Sequence, residues 1–145
     1  MFNSDGGLSF KKSIKETKKV NGLQYKILIV DDEEFILEEL SETLTDKGYE
    51  CFVANNVDAA VEIIKTTPGI SLIVTDLNMP RKTGADLIKV VKTMLGQNIK
   101  FIVMSGHADP SVEEDGMDLA SYSFLRKPLS IQSLIKMVGS VLETK

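Results

Sequence analysis

The chain has 145 residues, 43% of them hydrophobic and 26% charged, with 17 basic and 21 acidic side chains and a formal net charge of −4. That length suits one domain with an adequate core, and the acidic balance argues against a nucleic-acid-binding domain, which needs clustered Lys and Arg to meet phosphates. No apolar run approaches the roughly 18 residues that span a bilayer, no secretory pattern opens the chain, and the single cysteine, Cys51, excludes an internal disulfide; a cytoplasmic location is the expectation.

Residues 1–24 carry Lys11, Lys12, Lys15, Lys18 and Lys19 against Asp5 and Glu16, a net +3, whereas the remainder carries 12 basic and 19 acidic groups, a net −7. Gly, Ser, Lys and Asn in that first stretch bury little, so a flexible basic extension is expected over 1–24 and a domain over 25–145. Phe10 and Ile14 stand four apart, but nothing downstream sustains the stripe.

From Tyr25 onward five short apolar runs alternate with amphipathic segments. The predicted strands are Lys26–Val30, Tyr49–Ala54, Ser71–Thr75, Lys100–Met104 and Ser123–Leu125. The first, third and fourth are almost wholly aliphatic, as central strands of a parallel sheet covered on both faces should be. The predicted helices are Glu34–Lys47, stopped by Gly48; Asn56–Thr66, capped by Asn55 or Asn56; Gly84–Leu95; the shorter, more polar Ser111–Leu119; and Ser130–Leu142. Five βα units make a doubly wound α/β domain, with ligands expected at the carboxyl edge of its sheet.

Five polar side chains fall on that edge. The first strand ends in Asp31-Asp32, the third at Asp76, the fourth at Ser105, and the fifth runs into Lys127-Pro128. Singly, each has a plain reading: Asp31 or Asp32 as a helix cap, Asp76 as the start of a turn, Ser105 as loop, Lys127 as a solvated lysine. Together they converge. Three carboxylates on neighbouring strands crowd one pocket, which raises their pKa values or requires a cation. Hard oxygen ligands without His or Cys select Mg²⁺ or Mn²⁺. With Lys127 opposite and a hydroxyl at Ser105, the set suits transfer of a phosphoryl group to a carboxylate, Asp76 being the candidate nucleophile.

At these residues the sequence resembles the CheY-like receiver domain of two-component response regulators, over about residues 25–143. The resemblance rests on Asp31-Asp32, the block Asp76-Leu77-Asn78-Met79-Pro80, Gly84, Ser105-Gly106 and Lys127-Pro128. The spacing also fits: Asp76 follows Asp32 by 44 positions, Ser105 follows Asp76 by 29, and Lys127 follows Ser105 by 22. It implies a flavodoxin-like sheet of strand order 2-1-3-4-5 with five helices. It implies that Asp76 is the phosphoacceptor, that Asp31, Asp32, Asp76 and the backbone carbonyl of Asn78 hold Mg²⁺, and that Lys127 and Ser105 stabilise the phosphoryl group. A cis Lys127–Pro128 bond is also implied. Ser105 and Phe124 would be the switch residues, biasing a surface made of the fourth helix, fifth strand and fifth helix. Asn78 and His107 would tune hydrolysis. The implied partners are a sensor histidine kinase or histidine phosphotransfer protein and a downstream protein target, with no direct DNA binding and no catalysis beyond the chain's own phosphorylation and dephosphorylation. Ser in place of the commoner Thr at 105, Arg81-Lys82 after Pro80, and Ala120-Ser121-Tyr122-Ser123 before the fifth strand depart from the family pattern.

Three other functions share parts of this pattern. A Mg²⁺-dependent phosphohydrolase with an Asp nucleophile would want an acid two residues on, where Asn78 stands. A flavodoxin-like nucleotide or flavin binder would meet four carboxylates at Asp31–Glu34 and has no Gly-rich phosphate loop. A receiver-like docking module that is never phosphorylated would have no need of the acidic set.

Overall fold

A computed structural model describes residues 19–20, 23–106, 113–114, 117–118 and 122–143. Five parallel strands, β1 (Lys26–Val30), β2 (Glu50–Ala54), β3 (Ile70–Asp76), β4 (Lys100–Ser105) and β5 (Ser123–Arg126), form one sheet in the order β2-β1-β3-β4-β5. Counted along the chain this is 2-1-3-4-5, the order that the resemblance implies. The crossover helices are α1 (Glu34–Asp46), α2 (Val57–Thr66) and α3 (Gly84–Leu95), and α4 (Ile131–Glu143) follows β5.

The aliphatic runs become central strands because both faces of the sheet are covered. In β1, Ile27 and Ile29 point to a core shared with Leu37, Leu40 and Leu44 of α1 and Leu134, Val138 and Leu142 of α4. Leu28 and Val30, alternating with them, point to the opposite core with Val57, Ala60 and Ile64 of α2 and Leu87, Ile88 and Val91 of α3. Period two along the strand thus feeds two layers at once. The helix ends follow local chemistry. Asn56 caps α2 by accepting the Ala59 N–H at 2.8 Å. Thr83 and Asp86 form a reciprocal capping box at the start of α3. Ser130 accepts the Ser133 N–H at the head of α4.

One expected element is corrected. In place of the helix expected over Ser111–Leu119, Glu113–Glu114 pairs antiparallel with Met117–Asp118, the remaining residues lying outside the described ones. The two residues between those strands in the sequence are Asp115-Gly116, the composition that favours two-residue hairpin loops and opposes a continuous helix. Four helices of four residues or more therefore stand among the described residues instead of five. Most of the expected basic extension also lies outside them; within it, Lys19–Val20 pairs antiparallel with Leu23–Gln24, and Gln24 Nε2 donates to Gly48 O at 2.9 Å.

Candidate functional site

Parallel register decides which side chains meet. Val30 pairs with Thr75, so the residue after each of them, Asp31 and Asp76, emerges side by side at the carboxyl edge. Asp76 pairs with Met104, and Ser105 with Arg126, which brings Ser105 and Lys127 to the same edge. Asp31 is wholly buried and Asp76 is 3% exposed, while Asp32 faces solvent. One oxygen from each of the three carboxylates lies within 4.8 Å of the others.

Two of these carboxylates are held alike. Asp31 Oδ1 accepts the Glu33 N–H at 2.9 Å, and Asp76 Oδ1 accepts the Asn78 N–H at 3.1 Å; each is a side chain closing on the backbone two residues later. Their other oxygens share one cation. Lys127 Nζ lies 2.8 Å from Asp31 Oδ2 and 3.2 Å from Asp76 Oδ2, with Glu33 Oε1 at 3.7 Å. The lysine is placed by its own backbone, whose N–H donates to Ser105 O at 3.0 Å, and the Lys127–Pro128 bond is cis.

Burial pushes the Asp31 carboxyl up, against the opposing hydrogen bonds from Lys127 and the Glu33 N–H. Asp76 is likewise raised, by burial first and then by the charge of Asp31, with the Asn78 N–H and Lys127 pulling the other way. For Lys127 burial alone would lower the pKa, but the hydrogen bond to Asp31 and the charge of Asp76 outweigh it, and the ammonium is held above its usual range. One lysine thus serves a pocket with more negative charge than it can neutralise. The donor set is all oxygen, close together and partly buried, which is the chemistry of a Mg²⁺ or Mn²⁺ site. The residues fit such an ion.

The other expected residues are placed as follows. Ser105 is buried, and its Oγ accepts from Asn78 Nδ2 at 2.9 Å. Phe124 is half-buried and packs against the core on the α2–α3 side. Tyr122 lies edge-on to Phe101, with the Lys92 ammonium 5.0 Å from the centre of its ring. His107 lies outside the described residues. Three contributions go beyond the sequence reading: Glu33, which adds a third acid around Lys127; Thr75, whose hydroxyl donates to Asp76 O at 3.0 Å; and the preference of Lys127 for Asp31. Glu33 was legible as one of four acids after β1, but its reach to Lys127 was not. Gly84 has a specific role, because a Cβ there would sit 2.4 Å from Asp76 O. A cleft of about 670 Å³ opens over the pocket, walled by Asp76, Asn78 and Lys127 on one side and by Phe35, Ile36 and Glu39 of α1 on the other.

Residues 27–139 match the response regulator receiver domain family. The chain belongs to that family. It is similar to the chemotaxis protein CheY of Treponema pallidum, 26% identical over 87% of this chain and 88% of that one. It is 33% identical to response regulator RR06 of Streptococcus pneumoniae over 80% of this chain, and there it spans about half, 52%, of the relative's length. Among solved structures, chemotaxis protein CheY4 of Vibrio cholerae aligns with a TM-score of 0.74 at 28% identity, covering 81% of this receiver and 98% of that chain. Receiver domains are signalling switches, and phosphorylation on aspartate with Mg²⁺ bound in an acidic pocket is characteristic of them. Among the described residues of this receiver no helix is long and apolar enough to cross a membrane.

Proposed function

We infer that this receiver accepts a phosphoryl group on Asp76 from a histidine kinase or histidine phosphotransfer protein and thereby alters the binding of a downstream protein. The supporting observation is the triad of Asp31, Asp76 and Lys127, in which one ammonium lies within 3.2 Å of two buried carboxylates. A carboxylate oxygen of Asp76 attacks phosphorus in line, the P–N bond to the donor imidazole breaks, and the imidazole leaves with its bonding electron pair and takes up a proton. Asp31, Asp32, Asp76 and the Asn78 carbonyl would hold Mg²⁺, which when bound neutralises charge on the equatorial phosphoryl oxygens.

The chain's own residues do the rest. The Asn78 N–H fixes one oxygen of Asp76, leaving the carboxylate oriented across the pocket. Lys127 stands between Asp31 and Asp76, so it can follow the new negative charge without leaving the cluster. Ser105 supplies a hydroxyl to a phosphoryl oxygen, and giving up its bond from Asn78 for that purpose moves the end of β4. Phe124, on the strand paired with β4, is placed to respond by repacking. We assign the switching surface to β5, α4 and the segment between β4 and β5.

Incubating the purified chain with acetyl phosphate and Mg²⁺ and reading intact mass tests this. Wild type should gain one phosphoryl group; Asp76→Asn, or wild type with the metal chelated, should gain none. Equal labelling of both proteins would refute Asp76 as acceptor, and no labelling of either would favour a docking module.

A further inference from the structure

The helix beside the pocket has an unusual outer face. From Glu34 to Asp46, α1 contains Glu34, Glu38, Glu39, Glu42 and Asp46 and no basic residue. Leu37, Leu40 and Leu44 turn one side into the core. At 100° per residue the opposite side carries Phe35, Glu38, Glu39, Glu42 and Asp46, and all five are exposed. Glu34–Glu38, Glu38–Glu42 and Glu42–Asp46 are successive like-charge pairs four residues apart, each unfavourable. Asp46 adds a negative charge at the negative end of the helix. At the upper end Phe35 is 73% exposed. Among the described residues Glu38, Glu39 and Glu42 have no ion-pair partner. This face calls for a cover that is cationic along its length and apolar at one end.

The same chain contains a segment of that description. Residues 8–19 carry Lys11, Lys12, Lys15, Lys18 and Lys19 against Glu16 alone, a net +4, with Leu8, Phe10 and Ile14 as apolar side chains. All but Lys19 lie outside the described residues, but the attachment point is described. Lys19 pairs with Gln24, whose side chain donates to Gly48 O in the turn directly after α1. The segment is therefore tethered at the foot of the acidic face. Phe35 stands about 17 Å up the helix from Asp46 at 1.5 Å per residue. The stretch from Lys19 to Phe10 covers about 14 Å if helical and about 30 Å if extended, so Phe10 reaches Phe35 when the stretch is extended and falls short of it when helical. A short tether also gives a high effective concentration, so that individually weak exposed pairs suffice, whereas a separate basic peptide would need an affinity of its own.

We propose that residues 8–19 lie along the outer face of α1 of the same chain, their lysines against Glu38, Glu39 and Glu42 and Phe10 against Phe35.

A photoreactive benzoylphenylalanine placed at position 10 of the full chain tests the contact, with isotopically labelled and unlabelled chains mixed. Irradiation should link position 10 to the α1 peptide within one chain. The yield should fall at least fivefold in E38K/E39K/E42K and recover when K11E/K12E/K15E is added to that background. Recovery guards against misfolding as the cause of loss, and the amine that E38K introduces stands four residues from Glu34, a pairing that favours the helix. Links between chains, making a second copy the occupant, would overturn the proposal. So would links scattered over the surface or indifferent to charge reversal. The readout needs neither Mg²⁺ nor phosphoryl transfer, so its failure is distinct from a failure of Asp76 to label.

Discussion

Lys127 and Asp31 meet at 2.8 Å, Nζ to Oδ2, closer than the 3.2 Å between Lys127 and Asp76. The amine expected to serve Asp76 rests mainly on its neighbour, a carboxylate with no solvent exposure. Lys127→Met keeps much of the side-chain stem and removes the charge, leaving two buried carboxylates without their cation. Metal-free, the variant should lose about 1–3 kcal/mol in urea titrations, and Mg²⁺ should restore part of that loss. Its labelling by acetyl phosphate should slow on the order of 100-fold. Wild-type stability together with a wild-type labelling rate would remove Lys127 from the mechanism.

Asp76 itself should weaken the metal-free fold. Burial, then the nearby Asp31 charge, raises its pKa. An acid whose folded pKa exceeds its unfolded value binds its proton more tightly when folded. Ionising it therefore costs stability above the folded pKa, and the cost fades as pH falls through that pKa toward the ordinary carboxylate range. Asp76→Asn retains an oxygen for the Asn78 N–H and relieves the competition for Lys127. In chelated buffer it should gain on the order of 1 kcal/mol at neutral pH, with the gain shrinking on acidification. Mg²⁺ should stabilise wild type more than the variant. A variant less stable than wild type at neutral pH, or a gain that grows in acid, contradicts this.

Why some features were legible and others not has a physical basis. Ile27-Leu28-Ile29-Val30 could be read as a central strand because a run without polar interruption leaves no face for water. Asp31, Asp32, Asp76, Ser105 and Lys127 could be gathered because a parallel sheet brings successive strand ends to one edge. Which carboxylate takes the lysine could not be read, since it turns on a few tenths of an ångström between residues 96 and 51 positions from Lys127. The Ser111–Leu119 stretch misled because it is short and polar, with no apolar stripe to decide its period, whereas Asp115-Gly116 within it carries a turn signal.

Gly84 should tolerate no side chain. A Cβ there would lie 2.4 Å from Asp76 O and 3.0 Å from Leu77 Cα, both backbone atoms that cannot rotate away. Gly84 N–H also donates to Leu77 O at 3.1 Å, so the start of α3 and the end of β3 would have to separate. Gly84→Ala should cost about 2–4 kcal/mol and reduce Asp76 labelling beyond what the unfolded fraction explains. The corresponding change at Gly139, whose Cβ would meet nothing within 4 Å, should leave labelling intact. If both alanine variants behave alike, the close approach at Gly84 has no bearing on Asp76.

Arg81 offers the opposite case, a residue whose replacement should help. Its φ is +68°, and the Lys82 N–H donates to Pro80 O at 2.8 Å, so Arg81 is the central residue of a three-residue turn in the left-handed region. Such a turn is strained for any residue with a Cβ. The turn is strapped to α2 by Lys82 Nζ on Asp58 Oδ1 at 2.8 Å, a pairing that holds the Asp58 carboxyl below the usual range. Arg81→Gly removes the strain but adds freedom to the unfolded chain, so the net gain should be modest, about 0.5–1 kcal/mol. Arg81→Val, β-branched at the same φ, should lose stability. Both variants should label at Asp76, because Arg81 is exposed and touches none of the three carboxylates. Urea midpoints that rank valine above glycine would show that this turn relaxes without cost.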